Sequence, residues 1–207
     1  EEILDCMNRL KEEGKIRAVG VSAQTPAHGL LAIKHLKPVA LQVNLSMLDW
    51  RAIECGLMDL AQDTITSLIA RTPLSFGFLS GNIARDTQFE SSDHRSRWPR
   101  EQVNFWVDGA EAMLDCMNNK SIQTKSQFAM RFCLSFPQVS AAIPGMMTEK
   151  EVLDNIHASK LGPLTKIELE NLKRIYLENN SFADKASIQS VRKLDPGKIS
   201  AKKKEES

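Results

Sequence analysis

The sequence is poor in cysteine and nearly neutral, and it contains no long apolar run. A formal net charge of +1 over 207 residues provides no broad basic surface for nucleic acid. No apolar run approaches the roughly 20 residues that a membrane-spanning helix needs. The first residues open a helical pattern instead of a signal peptide. We therefore expect no nucleic-acid partner, no membrane and a cytoplasmic protein.

The four cysteines are widely separated along the chain. None forms a C-x-x-C pair or has a histidine at ligand spacing, which argues against a metal site. A disulfide framework is not expected at this size and composition. The simplest interpretation is that all four are buried free thiols. They are Cys6, Cys55, Cys116 and Cys133.

Length and composition favour one domain. With 42% hydrophobic residues, the chain is long enough for one sizeable core and short for two. The helical pattern fades after Phe182, and the last residues are mostly lysine and glutamate. We therefore expect one domain over residues 1–182 and a polar, solvated tail over 183–207.

The stretch from Ser140 to Ile156 organises the chain, because a short apolar run there meets the start of a helix. Residues 139–143 predict a buried strand that ends at a Pro-Gly turn. Thr148 and Glu151 then have the spacing of a capping box, so a helix begins here with free backbone N–H groups. A phosphate could bind at that point. The same pattern also occurs in α/β proteins that bind no phosphate.

Short apolar runs alternate with helical patterns along most of the chain. Strands are predicted over 16–22, 39–45, 66–72 and 139–143, and helices over 2–13, 26–36, 52–62, 103–117, 122–136, 148–159 and from Thr165 onward. This alternation predicts an α/β fold with a parallel sheet. No G-x-G-x-x-G motif follows the first strand, so a (β/α) barrel fits better than a Rossmann fold. Ligand-binding residues should then lie at the carboxyl ends of the strands.

Three features of the predicted strand ends and loops have alternative interpretations. Gln42 and Asn44 share one face of a strand, where they either bond neighbouring loops or hold a polar ring ligand. The apolar loop 73–81 either packs under a lid or cradles a flat ligand, and composition favours plain packing. In the polar loop 82–100, His94 is a solvated side chain or a base, and Arg95 and Arg97 are phosphate contacts or solvated charges.

Several segments carry a resemblance to a known family. They are 14–22 (GKIRAVGVS), 41–44 (LQVN), 70–74 (ARTPL) with 77–81 (GFLSG), and 143–145 (IPG) with Asn155. In this order and spacing, over residues 2 to 180, the sequence resembles the aldo/keto reductases. It is similar to the second half of such a reductase, and the resemblance implies a partial (β/α)8 TIM barrel. This would comprise about the last four β/α units and a C-terminal helix.

The resemblance implies an NADP(H)-dependent reductase of a small aldehyde or ketone, and it assigns cofactor-binding positions. Ser22 and Gln42 match the positions that hold the nicotinamide carboxamide, and Arg71 stands where many members stack an aromatic side chain on the nicotinamide. Residues 73–81, which we name the belt, resemble the segment around the pyrophosphate. The belt positions are Pro73, Leu74, Gly77 and Gly81, and the positions for the adenosine phosphate and adenine are Ile143, Gly145, Met147, Glu151 and Asn155.

The choice between NADP and NAD stays open. Met146, Met147 and Glu151 stand where the family often places cationic or polar residues against the adenosine 2′-phosphate. A carboxylate there would repel that phosphate. Glu151 is more simply the capping-box residue, and NAD is kept as an alternative cofactor.

The resemblance also implies that the catalytic Asp, Tyr, Lys and His of the family come from the first half of the barrel. No residue of this chain matches them, and the one tyrosine, Tyr176, is predicted in the closing helix. Half a barrel leaves two open edges and an uncovered apolar face. We therefore expect a fragment, a split subunit or a truncated relative, which pairs with an N-terminal half barrel or with itself. The alternative is a non-catalytic interaction subunit, as in the potassium-channel β-subunit relatives.

Overall fold

Four parallel strands form the single sheet of the computed structural model, which describes residues 2–118 and 122–178. The strands are β1 (Gly20–Ser22), β2 (Ala40–Asn44), β3 (Ser67–Arg71) and β4 (Val139–Ile143), and they lie side by side in that order. In this register Ser22 is opposite Gln42, Asn44 is opposite Arg71, and Arg71 is opposite Ile143. The carboxyl ends of all four strands therefore meet at one edge of the sheet.

Helices connect the strands as the alternation predicted. They are α1 (Glu2–Glu12), α2 (Pro26–Leu36), α3 (Arg51–Glu54), α4 (Leu57–Asp63), α5 (Arg100–Leu114), α6 (Lys125–Leu134), α7 (Glu149–Lys160) and α8 (Lys166–Glu178), with 3₁₀ helices at Ser75–Ser80 and His94–Arg97. Capping boxes open α6 at Thr124 and α7 at Thr148. The α/β fold with a parallel sheet is confirmed.

The core lies between one face of the sheet and the helices. Alternate residues of the central strands are buried there, among them Leu41, Val43 and Leu68. From α6, Phe128 and Phe132 are fully buried against them, and the predicted phenylalanine stripe is completed by the partly buried Phe136. Because successive residues of a strand point to opposite faces, the residues between these buried ones point to the other face of the sheet.

Two predicted elements differ from those observed. The first strand was predicted over 16–22, but β1 begins only at Gly20, because the Ile16 N–H donates to the Leu10 carbonyl and completes the end of α1 (3.3 Å). The helix predicted over 52–62 is divided into α3 and α4 at Gly56, whose φ of +76° is incompatible with a continuous helix.

The prediction that all four cysteines are buried was wrong. Only Cys133 is buried, whereas Cys6 and Cys55 are exposed and Cys116 is intermediate. Cys6 lies on α1, which buries none of its residues, and Cys55 lies at the end of α3, directly before the turn at Gly56. Burial raises the pKa of the Cys133 thiol well above its usual range.

Both edges of the described sheet are open, as expected for half a barrel. Strand β1 pairs only with β2, and β4 pairs only with β3, among the residues in the two described ranges. Near β4, α7 exposes the apolar side chains of Leu153 and Ile156. No helix in residues 2–118 and 122–178 has the length and apolarity needed to cross a bilayer. The predicted tail over 183–207 lies outside the described residues.

Candidate functional site

Ser22 and Gln42 form the first pair of polar side chains at the strand ends. Gln42 Nε2 donates to Ser22 Oγ at 3.0 Å, across the register of β1 and β2. Ser22 is exposed and Gln42 is half-buried, on the sheet face opposite the core. Gln42 Oε1 accepts no hydrogen bond within the described part of the chain. The pair can therefore both donate to and accept from a ligand amide.

Arg71 ties three strand ends together. Its Nε donates to Asn44 Oδ1 at 2.6 Å, and an Nη donates to the Ala23 carbonyl at 2.9 Å, in the loop after β1. Thr72 Oγ1 donates to the same Asn44 oxygen at 3.1 Å. The Asn44 side chain therefore bonds neighbouring segments, as the first of its two interpretations expected. A guanidinium fixed in this way presents a planar cation where a flat ring could stack.

The belt has an unusual backbone. Ser75 and Phe76 have φ values of 45° and 58°, followed by Gly77 at 96°. Residues other than glycine rarely adopt this left-handed backbone conformation, which persists only where the surrounding structure stabilises it. Pro73 is buried and Leu74 is half-buried, so the belt is packed against the protein as composition suggested. On one side, Ser75 and Ser46 share a hydrogen bond of 2.7 Å between their hydroxyl oxygens.

Lys125 is a site residue that the sequence did not reveal. A Cβ added to Gly81, whose φ is +75°, would collide with Lys125 Cδ and lie 2.7 Å from its Nζ. The ammonium therefore lies directly beside the end of the belt, where an anion would benefit from it. In the sequence, Lys125 is one residue of the helix predicted over 122–136, and nothing local indicates that α6 begins at this residue beside Gly81.

At the start of α7, Glu151 occupies the predicted anion position. Its Oε2 accepts from the Met147 and Thr148 N–H groups at 2.7 and 3.0 Å, and the Glu151 N–H donates to Thr148 Oγ1 at 3.2 Å. These backbone hydrogen bonds, Met147 first, lower the pKa of the Glu151 carboxyl. The confirmed capping box thus places a carboxylate at this helix end. Around it, Ile143, Gly145 and Met147 are exposed.

Asn155 lies one turn further along α7. It is only 8% exposed, and its side-chain amide makes no hydrogen bond to the residues that the structure describes. Its neighbour Asp154 differs, because Thr124 Oγ1 and Gln127 Nε2 donate to the two Asp154 carboxylate oxygens at 2.9 and 2.6 Å. The amide atoms of Asn155 keep some contact with solvent, so they are available for hydrogen bonds to a ligand.

Two groups of site residues emerge. The first follows the strand ends from Ser22 to Arg71 and continues through the register to Ile143. The second contains the belt and the start of α7, which are connected because α6 packs against both. A small pocket of about 30 Å³ lies between Asn44, Thr72 and Phe76. Its volume suits one or two waters and excludes a nucleotide ring.

Tyr176 and His94 are the two side chains considered as proton donors. Tyr176 is buried, stacks on Trp50 with ring centroids 5.2 Å apart, and lies 3.2 Å from Glu54 Oε2. Burial and the nearby Glu54 raise the pKa of its hydroxyl well above the ordinary value. His94 is exposed and touches Phe76 and Trp98. No cluster of metal-ligating side chains occurs within residues 2–118 and 122–178.

The fold and the polar strand ends define a class: a partial (β/α)8 barrel with its ligand side at the carboxyl ends of parallel strands. The family model described as the aldo/keto reductase family matches residues 1–177. The chain therefore belongs to the aldo/keto reductase family, a family of oxidoreductases.

Individual relatives agree with this assignment. The aldo-keto reductase yakc (NADP(+)) of Schizosaccharomyces pombe is 26% identical over 166 residues, which cover 78% of this chain and 48% of that protein. The NADH-specific methylglyoxal reductase of Escherichia coli is 35% identical over 85 residues, 41% of this chain and 26% of that protein. The glycerol dehydrogenase AKR11B4 of Gluconobacter oxydans superposes with a TM-score of 0.67 at 24% identity, over 83% of this chain and 52% of the other.

The chain spans about half the length of the curated relatives that it matches.

Proposed function

We propose that the chain supplies the cofactor-binding half of a reductase that transfers a hydride from a nicotinamide dinucleotide to a small aldehyde or ketone. The observation that carries the proposal is the Ser22–Gln42 pair beside Arg71, at the carboxyl ends of adjacent parallel strands. The position agrees with where barrels of this class bind their ligands. The relatives named for reductase activity support the reaction class.

The residues present fit such a cofactor. A nicotinamide carboxamide has an NH2 group that can donate to the free Gln42 oxygen and a carbonyl oxygen that can accept from the Ser22 hydroxyl. Lys125 and the belt offer a cation and backbone for the phosphates, and the unpartnered Asn155 amide offers hydrogen bonds to adenine. When bound, the cofactor supplies the hydride, and these residues orient it.

The proposed reaction also needs a proton for the developing alkoxide. Tyr176 is buried and donates to Glu54, and no other described side chain has the family's proton-donor position. We therefore place no catalytic residue in this chain. The proton donor and the remaining strands would come from an N-terminal half barrel or, less simply, from a second copy, which would cover the open edges of β1 and β4.

The cofactor identity depends on Glu151. The family resemblance implies NADP(H), and one relative carries that cofactor in its name, whereas another is named as NADH-specific. The ionised Glu151 carboxylate already occupies the start of α7, and the segment 143–147 contains no lysine or arginine. A 2′-phosphate beside it would be repelled. We propose that NADP(H) can bind and that NAD(H) is favoured.

A fluorescence titration tests cofactor binding. Trp98 and Trp106 pack on Phe76 of the belt, with ring centroids 5.2 and 6.1 Å away, so a dinucleotide bound there should quench them. Saturable quenching by NADH or NADPH is the expected result. No quenching at millimolar cofactor would count against the proposal, and aldehyde turnover by the chain alone would refute the statement that it lacks the proton donor.

A further inference from the structure

The strained turn of the belt needs an external support. Ser75 and Phe76 in the belt, and Thr72 directly before it, have φ between 45° and 58°. Each such residue costs about 1–2 kcal/mol relative to a right-handed conformation. A turn of this kind persists only where neighbouring groups fix it. The support must therefore come from the segments packed against it.

Arg95 supplies one such support. It lies in the 3₁₀ helix His94–Arg97, and its Nη1 donates to the Phe76 carbonyl at 2.8 Å. The rest of the guanidinium is fixed by Asp93, with Nε and Nη2 donating to the carboxylate at 3.0 and 2.6 Å. The Arg95 guanidinium also lies over the Phe89 ring, 4.6 Å from its centroid. Nε and one N–H of each Nη therefore donate to the protein, a role that neither sequence interpretation of Arg95, a phosphate contact or a solvated charge, included.

The ring of Phe76 is held by the same region of the chain. It packs edge-on against Trp98 at 5.2 Å and stacks at 6.1 Å on Trp106 from α5. Arg95 and Trp98 belong to one short segment, so the carbonyl and the ring of Phe76 are fixed together. The Ser46–Ser75 hydrogen bond holds the other side of the turn.

We propose that Arg95 is a positioning residue for cofactor binding: through the Phe76 carbonyl it fixes the left-handed turn 75–77, so that the belt keeps the backbone course needed to hold the dinucleotide phosphates. This inference rests on the proposed function. It assigns a role to the polar loop 82–100 that the sequence left open. Arg95 acts on the belt and does not touch the cofactor.

The support should operate over a wide pH range. The Arg95 guanidinium, together with the Arg95 N–H, lowers the pKa of Asp93 to about 2. His94 is the other titratable group facing this pair, with its Nδ1 3.6 Å from an Asp93 oxygen. The Asp93–Arg95 pair therefore stays ionised at neutral pH.

The test compares Arg95→Lys and Arg95→Ala with Arg97→Ala in the full chain. Arg97 is exposed in the same 3₁₀ helix, so its removal changes the charge equally without touching the turn. Lysine keeps the charge of Arg95 but loses the planar fork. Three quantities are measured for each variant: the Kd of NADH, the Kd of AMP, which lacks the pyrophosphate, and amide hydrogen exchange over residues 75–78.

Both Arg95 variants should bind NADH more weakly, by up to about tenfold for alanine, because the turn is no longer ordered by the hydrogen bond to the Phe76 carbonyl and its ordering then reduces the binding free energy. AMP affinity should change by less than about twofold, because no truncated group contacts adenosine. Exchange at 75–78 should accelerate in the Arg95 variants, and Arg97→Ala should match the wild type.

Several results would overturn the inference. They are equal losses for NADH and AMP, an equal loss in Arg97→Ala, and unchanged exchange at residues 75–78 in both Arg95 variants. If the wild type binds NADH and Arg95→Ala binds it equally well, only the positioning role fails. If the wild type binds no dinucleotide, the proposed function fails and the positioning role fails with it.

Discussion

Replacing Gln42 by leucine separates cofactor binding from fold stability. The substitution removes the acceptor, Gln42 Oε1, that the proposal assigns to the nicotinamide carboxamide. At about 0.5–1.5 kcal/mol for this one hydrogen bond, the loss corresponds to about 2- to 12-fold weaker binding. The only described partner of the amide is the exposed Ser22, so the free energy of unfolding should change by less than about 0.5 kcal/mol.

Gln138→Leu is the matched control for this experiment. Gln138 precedes β4 at the opposite end of the sheet, and its Nε2 likewise makes one exposed hydrogen bond, to Gln62 Oε1 at 2.8 Å. Cofactor titration and urea unfolding of both variants complete the assay. The reasoning is refuted if Gln42→Leu binds NADH as tightly as the wild type, or if Gln138→Leu loses as much affinity.

Three further substitutions test the belt, the core and the cofactor choice. Gly81→Ala should lower the free energy of unfolding by about 1–2 kcal/mol, because Gly81 has a left-handed φ, and it should weaken dinucleotide binding, because the added Cβ displaces Lys125. Gly14→Ala is the control, since Gly14 has a similar φ and no heavy atom near the position of the added Cβ. Equal dinucleotide affinities of the two variants in a cofactor titration would exclude a role for Lys125. Phe132→Ala should lower the free energy of unfolding, measured in urea, by about 3–5 kcal/mol, because the ring is fully buried against Trp50. Ile167→Ala is the control and should change it little, because Ile167 is exposed. A similar loss in both variants would contradict the described core. Glu151→Gln keeps an acceptor for the capping box but removes the negative charge. At any pH above the lowered pKa of Glu151, the variant should therefore bind NADPH more tightly relative to NADH than the wild type does. An unchanged ratio of the two Kd values would show that Glu151 does not face the 2′-phosphate.

Local signals in the sequence predicted most of the fold. The capping box at Thr148 and the strand before it were found because their hydrogen-bond partners lie within a few residues. The shared face of Gln42 and Asn44 followed from the strand period of two. The late start of β1 was not predicted, because the Ile16 N–H donates to the Leu10 carbonyl at the end of α1, and this hydrogen bond depends on how the helix ends.

Contacts between distant segments could not be predicted from the sequence. Arg71 reaches the Ala23 carbonyl 48 residues away, and Arg95 reaches Phe76 across 19 residues. No periodicity or composition encodes such pairs, because they depend on the packed arrangement of the loops. The left-handed φ values of Ser75 and Phe76 are likewise imposed by their surroundings, since neither residue prefers that conformation. The family resemblance supplied the positions of the candidate site but not these supports.

Amide hydrogen exchange with and without saturating NADH tests the central claim most directly. If the strand ends, the belt and the start of α7 form one dinucleotide site, peptides covering residues 20–24, 42–46, 73–81 and 145–155 should gain protection together. Peptides of α8 should not change. Protection confined to other segments, or none at all at saturating NADH, would contradict the account.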